Sequence, residues 1–197
     1  MKVLRGYIRF VDLFNYGLGR LVMFGLFGLM GILLWSTVSK VFYSPAMWTL
    51  ETAQFVMVAY YILGGPYSIQ LGSNVRMDLF YAELSDHRKA CLDALTVFCL
   101  IFYLAVLIWG GLASLAYSLG NFMGSPFAFF GRLIGAFFTG GPDAASEVLG
   151  YIEVSSSSWR PVMWPIKLIT CIGLFLMLLQ VLSEFFKDIL RIRGEAV

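Results

Sequence analysis

The sequence predicts an all-α integral membrane protein, and three observations support this fold class. Hydrophobic residues make up 59% of the 197 residues and charged residues only 13%, whereas soluble domains are roughly half apolar and about a quarter charged. Four apolar segments reach the length of about 20 residues that a helix needs to cross a bilayer. The basic residues collect beside alternate ends of these segments, as they do in multi-pass proteins.

The four segments divide a single predicted membrane domain, residues 1–197, into spans and connections. The predicted spans cover about 18–39, 47–71, 90–119 and 162–186. Ser44 and Pro45 predict the start of the second span, because serine is a common N-cap and proline fits the first turn of a helix. The first two spans should therefore form a tight antiparallel hairpin.

The orientation follows from the basic residues that flank the spans. Cytoplasmic loops of membrane proteins carry an excess of Lys and Arg. One predicted side of the membrane has ten basic residues and the other has four, so both termini are expected in the cytoplasm. The ten are Lys2, Arg5, Arg9, Arg20, Arg76, Arg88, Lys89, Lys187, Arg191 and Arg193, and the four are Lys40, Arg132, Arg160 and Lys167.

Residues 120–161 form an enlarged outer segment between the third and fourth spans. Its apolar run is only about 17 residues long and contains Pro126 and Arg132, and a fifth span would place the basic C-terminus outside. We expect an interfacial or re-entrant element that packs on protein. A fifth span is the alternative.

The N-terminal residues 2–16 place Leu4, Ile8, Val11 and Phe14 along one helical stripe. This pattern predicts an amphipathic helix on the inner leaflet. An extension of the first span explains the same pattern equally well.

The composition argues against several function classes. Within five residues of the predicted span centres, near Gly28, Ala59, Ala105 and Gly173, there is no Asp, Glu, Lys, Arg or His, whereas a solute transporter normally holds its substrate or ion with such groups at that depth. His87 is the single histidine, which excludes paired axial haem ligands. Cys91, Cys99 and Cys171 form no C-x-x-C pair and are interpreted as buried small residues. We therefore predict no catalytic residue, no cofactor and no metal site, and no nucleic-acid partner.

Small residues and one carboxylate mark candidate packing positions. Gly25, Gly28 and Gly31 recur every three residues in the first span, and Gly64 and Gly65 lie in the second. Small residues let helices approach closely in a membrane. Glu51 lies in the first turn of the second span, where its negative charge interacts favourably with the positive end of the helix dipole. Internal packing and contact with another subunit both remain open for these positions.

A charged hinge joins the second and third spans, and its motif carries a family resemblance. The hinge reads GSNVRMDLFYAELSDHRK from Gly72 to Lys89 and contains Asn74, Arg76 and Asp78. Here the chain resembles the DctQ-like small permease subunit of the tripartite ATP-independent periplasmic (TRAP) transporters, whose pattern is Gly followed by His-Val-Arg-Val-Asp. Arg76 and Asp78 match this pattern, whereas Asn74 replaces the histidine.

The resemblance implies an accessory function. It implies a multi-pass subunit in the bacterial inner membrane that braces a large polytopic permease subunit. It further implies sodium-coupled uptake of an organic acid or related small solute, delivered by a periplasmic substrate-binding protein. The hinge residues would then serve as structural or subunit-docking residues, and membrane lipid would cover the remaining apolar surface.

Two other function classes fit the sequence less well. A subunit of a membrane enzyme or redox complex would have to use Asp143, Glu147 and Glu153 of the outer segment, which lack a neighbouring base, nucleophile or metal-ligand set. A homo-oligomeric channel would need a polar stripe along a span, and none of the four predicted spans has one.

Overall fold

The computed structural model describes residues 2–72 and 86–192, and the helices within them confirm the all-α class. They are α1 (Lys2–Met23), α2 (Gly25–Phe42), α3 (Thr49–Gln70), α4 (Asp86–Ser118), α5 (Pro126–Val148) and α6 (Trp164–Ile192). No strand occurs in these two ranges, and the one extended pairing there is a bridge between Val154 and Val162.

Two helix boundaries differ from the predicted ones. The predicted first span, about 18–39, is interrupted at Phe24, whose amide donates to Leu21 O at 3.2 Å in a turn between α1 and α2. Gly25 follows this turn, and glycine propagates a helix less readily than any residue except proline. The start predicted at Ser44 and Pro45 is wrong, because α3 begins at Thr49.

Three segments of the described chain have the length and composition to cross a membrane. They are Leu4–Phe42, Leu95–Ser118 and Trp164–Ile192. Helix α3 has 22 residues, which corresponds to about 33 Å at 1.5 Å per residue. Its sequence includes Glu51, Gln54 and Gln70, so its hydropathy is lower and it is not among the three. Helix α5, in the predicted outer segment, is not among them either.

The chain forms two compact units, and the first comprises Met1–Leu26, Tyr60–Val106 and Ile172–Val197. Close helix contacts at glycines characterise it. A Cβ on Gly65 would lie 2.6 Å from Met177 Cε, and a Cβ on Gly173 would collide with Ile62. A glycine is therefore required at position 173, where the contact includes the Ile62 backbone, whereas at Gly65 the flexible end of Met177 would have to shift.

The second unit comprises Phe27–Ala59 and Leu107–Cys171. Helix α5 contains a kink at Gly141, which has a φ of 77° and precedes Pro142. Gly120 has a φ of 93°, and a Cβ there would collide with the backbone of Gly150. The amide of Gly150 donates to Leu119 O at 3.0 Å, so the two ends of the α5 segment meet at this pair of glycines.

Candidate functional site

The predicted packing glycines fall into two groups in the structure. A Cβ on Gly65 would contact Met177, and one on Gly25 would lie 3.6 Å from Tyr60 Cδ2, so these two positions pack within the chain. Cβ atoms on Gly28, Gly31 and Gly64 would meet no atom of the described residues within 4 Å. These last three glycines therefore lie on surfaces that the described part of the chain leaves open.

Helix α2 carries two of these open glycines and is the least buried of the apolar helices. Ser39 is its one buried residue. Large apolar side chains such as Phe27, Leu34 and Trp35 are at least half exposed on it. Its exposed surface must therefore face lipid or another protein.

The third open glycine, Gly64, lies in a groove of the first unit with a volume of about 430 Å³. Its lining consists mainly of glycines and tyrosines and also includes Val22, Met23 and Ser68. The glycines and tyrosines are Gly19, Tyr60, Tyr61, Gly64, Gly65 and Tyr67. Tyr61 is 68% exposed. Small residues let helices approach closely in a membrane, so a groove lined by glycines suits a closely packed helix.

Glu51 is buried in the second unit, with 8% of its surface exposed. Its Oε1 accepts a hydrogen bond from Ser155 Oγ. The start of α3 is thereby tied to the loop that follows α5. This contact is internal to the chain, so Glu51 joins Gly25 and Gly65 among the predicted residues that pack within it.

The predicted hinge motif, Asn74, Arg76 and Asp78, lies outside the described residues. The described chain before it ends at Gly72, which lines a cavity of about 530 Å³ in the first unit. Carboxylates of Asp93, Glu184 and Asp188 and the guanidinium of Arg191 also line this cavity. Arg191 Nη1 lies 2.9 Å from Asp188 Oδ1.

A buried polar junction joins α1, α3 and α6 in the first unit, and the sequence prediction missed it. It consists of Asp12, Asn15, Gln70, Gln180, Ser183, Glu184 and Lys187. The sequence predicts a solvated helix end at Gln180 and Glu184, whereas in the structure Gln180 and Ser183 have no exposed surface and Asn15 is 1% exposed. A signal was present, because residues 180, 183, 184 and 187 share one helical face.

Asp12 is the centre of the polar junction. Its Oδ1 accepts hydrogen bonds from Gln180 Nε2 at 3.0 Å and Ser183 Oγ at 3.1 Å. Lys187 Nζ lies 2.7 Å from both Asp12 Oδ2 and Glu184 Oε1. Two neutral donors and one cation thus compensate the negative charge of the Asp12 carboxylate. A charge that is partly removed from water needs such partners.

The remaining bonds of the junction extend it to both neighbouring helices. Asn15 Nδ2 donates to Gln180 Oε1 at 2.7 Å, and Gln70 Nε2 donates to Asp12 O at 3.2 Å. Tyr7 Oη donates to Leu179 O at 3.1 Å nearby. Helix α1 is therefore held by side-chain hydrogen bonds to α6 and α3, and is more than a surface-bound amphipathic helix. Of its predicted stripe, Ile8 and Val11 are buried and Phe14 is half exposed.

The carboxylates considered for an enzymatic role are not brought together. Asp143 and Glu147 are exposed on α5, whereas Glu153 forms an ion pair with Lys167 of α6. No group of three or more His, Cys, Asp or Glu residues in the described chain is arranged to hold a metal ion. Of the three cysteines, Cys171 is buried and Cys99 is exposed, so the interpretation of Cys99 as buried was wrong.

The second unit also contains an apolar groove of about 570 Å³ between α4, α5 and α6. Phe130, Ile134 and Phe137 of α5 form one wall, and Leu115 and Trp164 also line it. The groove contains almost no polar group that could orient a soluble substrate.

The sequence matches the family model of the tripartite ATP-independent periplasmic transporters, DctQ component, over residues 29–136. The matched region is more than half of the chain and includes the hinge motif. No curated protein and no solved structure matches the sequence.

Proposed function

Because the chain belongs to the DctQ family of TRAP transporters, we propose that it braces the large permease subunit of a sodium-coupled uptake system. The family is a transporter component and not an enzyme. The proposed substrate is an organic acid or related small solute, delivered by a periplasmic binding protein. The proposed location is the bacterial inner membrane.

The observation that carries this proposal is the open surface of α2. A Cβ added to Gly28 or Gly31 would have no neighbour among the described residues within 4 Å, and both glycines lie beside exposed apolar side chains of the same helix. Glycines that pack nothing in their own chain weaken a helix without benefit, unless another helix approaches there. We assign this face, together with the groove at Gly64, to contact with the large subunit.

The topology proposed with this function has four spans and cytoplasmic termini in one membrane domain. Helix α3 is the proposed second span, because its 22 residues are long enough and its polar residues lie mainly near its ends. The distribution of Lys and Arg supports the orientation. Residues 120–161 then lie outside, where they would help to receive the binding protein.

A bracing role also agrees with the polar chemistry of the polar junction. Its charged groups are paired with each other, and Glu184, which also lines the cavity of about 530 Å³, is paired with Lys187 near the C-terminal end of α6. A substrate or ion site would instead present such groups to a cavity at the membrane centre. We therefore assign the substrate and sodium sites to the large subunit.

The test is co-purification of the large subunit from native membranes. We expect the double variant Gly28→Leu/Gly31→Leu to reduce the amount of large subunit recovered about tenfold or more, since overpacking a helix contact costs about 1–3 kcal/mol and tenfold corresponds to about 1.4 kcal/mol. Val38→Leu/Val41→Leu is the matched control, because both valines are exposed on the same helix and the exchange adds bulk without filling a position held by a glycine.

Two results would contradict the proposal. One is recovery of the wild-type chain as an active transporter without any large partner. The other is equal recovery of the large subunit with the glycine double variant and with the Val38→Leu/Val41→Leu control.

A further inference from the structure

Two buried acceptor oxygens of the polar junction have no hydrogen-bond donor among the described residues. They are Asn15 Oδ1 and Gln70 Oε1. Buried polar atoms in native proteins almost always have a partner, which is either a protein group or an ordered water. These two oxygens therefore call for a donor that the described side chains do not supply.

The hydrogen-bond network fixes which atom of each amide group is left over. Gln180 Nε2 lies between two carboxylates, 3.0 Å from Asp12 Oδ1 and 3.1 Å from Glu184 Oε1. Only the NH₂ end of an amide donates hydrogen bonds, so Gln180 Oε1 must face Asn15. Asn15 must in turn present its NH₂ group to Gln180 Oε1, and its Oδ1 points elsewhere.

Rotating the amide groups does not remove the problem. If Asn15 and Gln180 were both reversed, Gln180 Oε1 would face two carboxylates, which also only accept hydrogen bonds. Gln70 is fixed in the same way, because its Nε2 donates to Asp12 O, and its Oε1 is the remaining atom. The carboxylate and the backbone carbonyl of Asp12 both accept hydrogen bonds, so they fix the NH₂ groups of Gln180 and Gln70. The oxygens of Asn15 and Gln70 are therefore the atoms left without a donor.

The side chains that carry the two acceptors meet one turn of α1. Asp12 and Asn15 are three residues apart, so they are neighbours on one face of the helix, with Cβ atoms about 5–6 Å apart. Gln70 reaches that face through Asp12 O. Asn15 is 1% exposed, so a side chain of another subunit does not reach it, and a small enclosed molecule is the donor that fits where the described residues supply none.

We propose that one buried water molecule bridges Asn15 Oδ1 and Gln70 Oε1. Water has two O–H donors for two acceptors, and buried waters typically join polar groups that the protein leaves unpaired. A metal cation would need more oxygen ligands than these two amides provide. The water completes a three-helix connection in which α1 is linked to α3 as well as to α6.

The direct test is a structure of the chain in its native complex at a resolution that shows ordered waters. We expect a density peak at about 2.7–3.2 Å from both Asn15 Oδ1 and Gln70 Oε1. Well-ordered side chains without such a peak, a protein donor in its place, or a peak with the shorter distances and higher ligand number of a cation would each overturn the proposal.

A thermal-unfolding cycle gives a second test that does not need a structure. Asn15→Leu and Gln70→Leu each remove one acceptor, and with it the water and the partner of the other acceptor. The double variant removes both acceptors of the water, and the loss of the Asn15–Gln180 hydrogen bond is already present in the Asn15 single variant. Its melting temperature should therefore fall by clearly less than the sum of the two single decreases.

The control pair is Ser183→Ala with Gln70→Leu. Ser183 also donates to Asp12, but it has no unpaired acceptor. If Asp12 alone coupled the residues of the junction, this control pair would be non-additive as well. Additive decreases for the Asn15 and Gln70 pair, or equal non-additivity in the control pair, would overturn the water bridge.

Discussion

Replacing Asp12 by alanine is the most informative single change in the first unit. The carboxylate accepts from Gln180 and Ser183 and lies 2.7 Å from Lys187 Nζ. The substitution leaves these three donors without their shared acceptor. The expected consequence is a loss of stability that exceeds the effect of any single hydrogen bond.

The magnitude follows from the partners that remain. Removing one member of a buried ion pair costs about 3–5 kcal/mol. Lys187 keeps Glu184 at 2.7 Å, and 21% of the Asp12 side chain is exposed, so the low end of that range applies. We expect a loss of about 3 kcal/mol, which is about 6–12 °C in melting temperature for a chain of this size.

The assay is thermal unfolding of the purified protein in detergent, followed by circular dichroism. Arg9→Ala is the control, because Arg9 is exposed on the same helix and surface substitutions usually change stability by less than about 0.5 kcal/mol. An Asp12→Ala variant as stable as Arg9→Ala would refute this account of the polar junction.

Three further changes test other parts of the structure. Gly173→Leu should destabilise the chain by about 3 kcal/mol or more, because even its Cβ would collide with Ile62; unfolding equal to that of Gly31→Leu, at an open position, would contradict the α3–α6 contact. Gly120→Ala should cost at least about 1–3 kcal/mol, because Gly120 has a φ of 93° and touches Gly150; an unchanged melting temperature would show that the glycine pair is not required. Arg76→Ala and Asp78→Ala should lower the yield of the complex more than they change substrate affinity in a transport assay, and a change in affinity at normal yield would argue against a docking role for the hinge.

The fold class could be predicted from the sequence because bilayer-spanning helices leave a strong compositional signal. The helices observed as α3, α4 and α6 begin and end within six residues of the predicted spans. The break at Phe24 was missed, since apolar residues continue on both sides of it and a single turn residue changes neither composition nor length.

The site was harder to predict, because the sequence does not show whether a small residue faces its own chain or another subunit. Gly28 and Gly65 have the same side chain, yet Gly28 is open and Gly65 contacts Met177. The polar junction was missed for a different reason. Asp12 and Gln180 are 168 residues apart, and no local pattern indicates that two such distant polar residues pair.

This separation has a consequence for biogenesis. Asn15 and Asp12 leave the ribosome with the first helix, whereas Gln180 and Ser183 belong to the last helix and follow at least 165 residues later. At about 5–20 residues per second, synthesis of the intervening chain takes roughly ten to thirty seconds. During that interval the polar groups of the first helix have no partner on the last one. A nascent chain that stops before α6 should therefore expose these unpaired groups of α1 to the membrane's quality-control proteases.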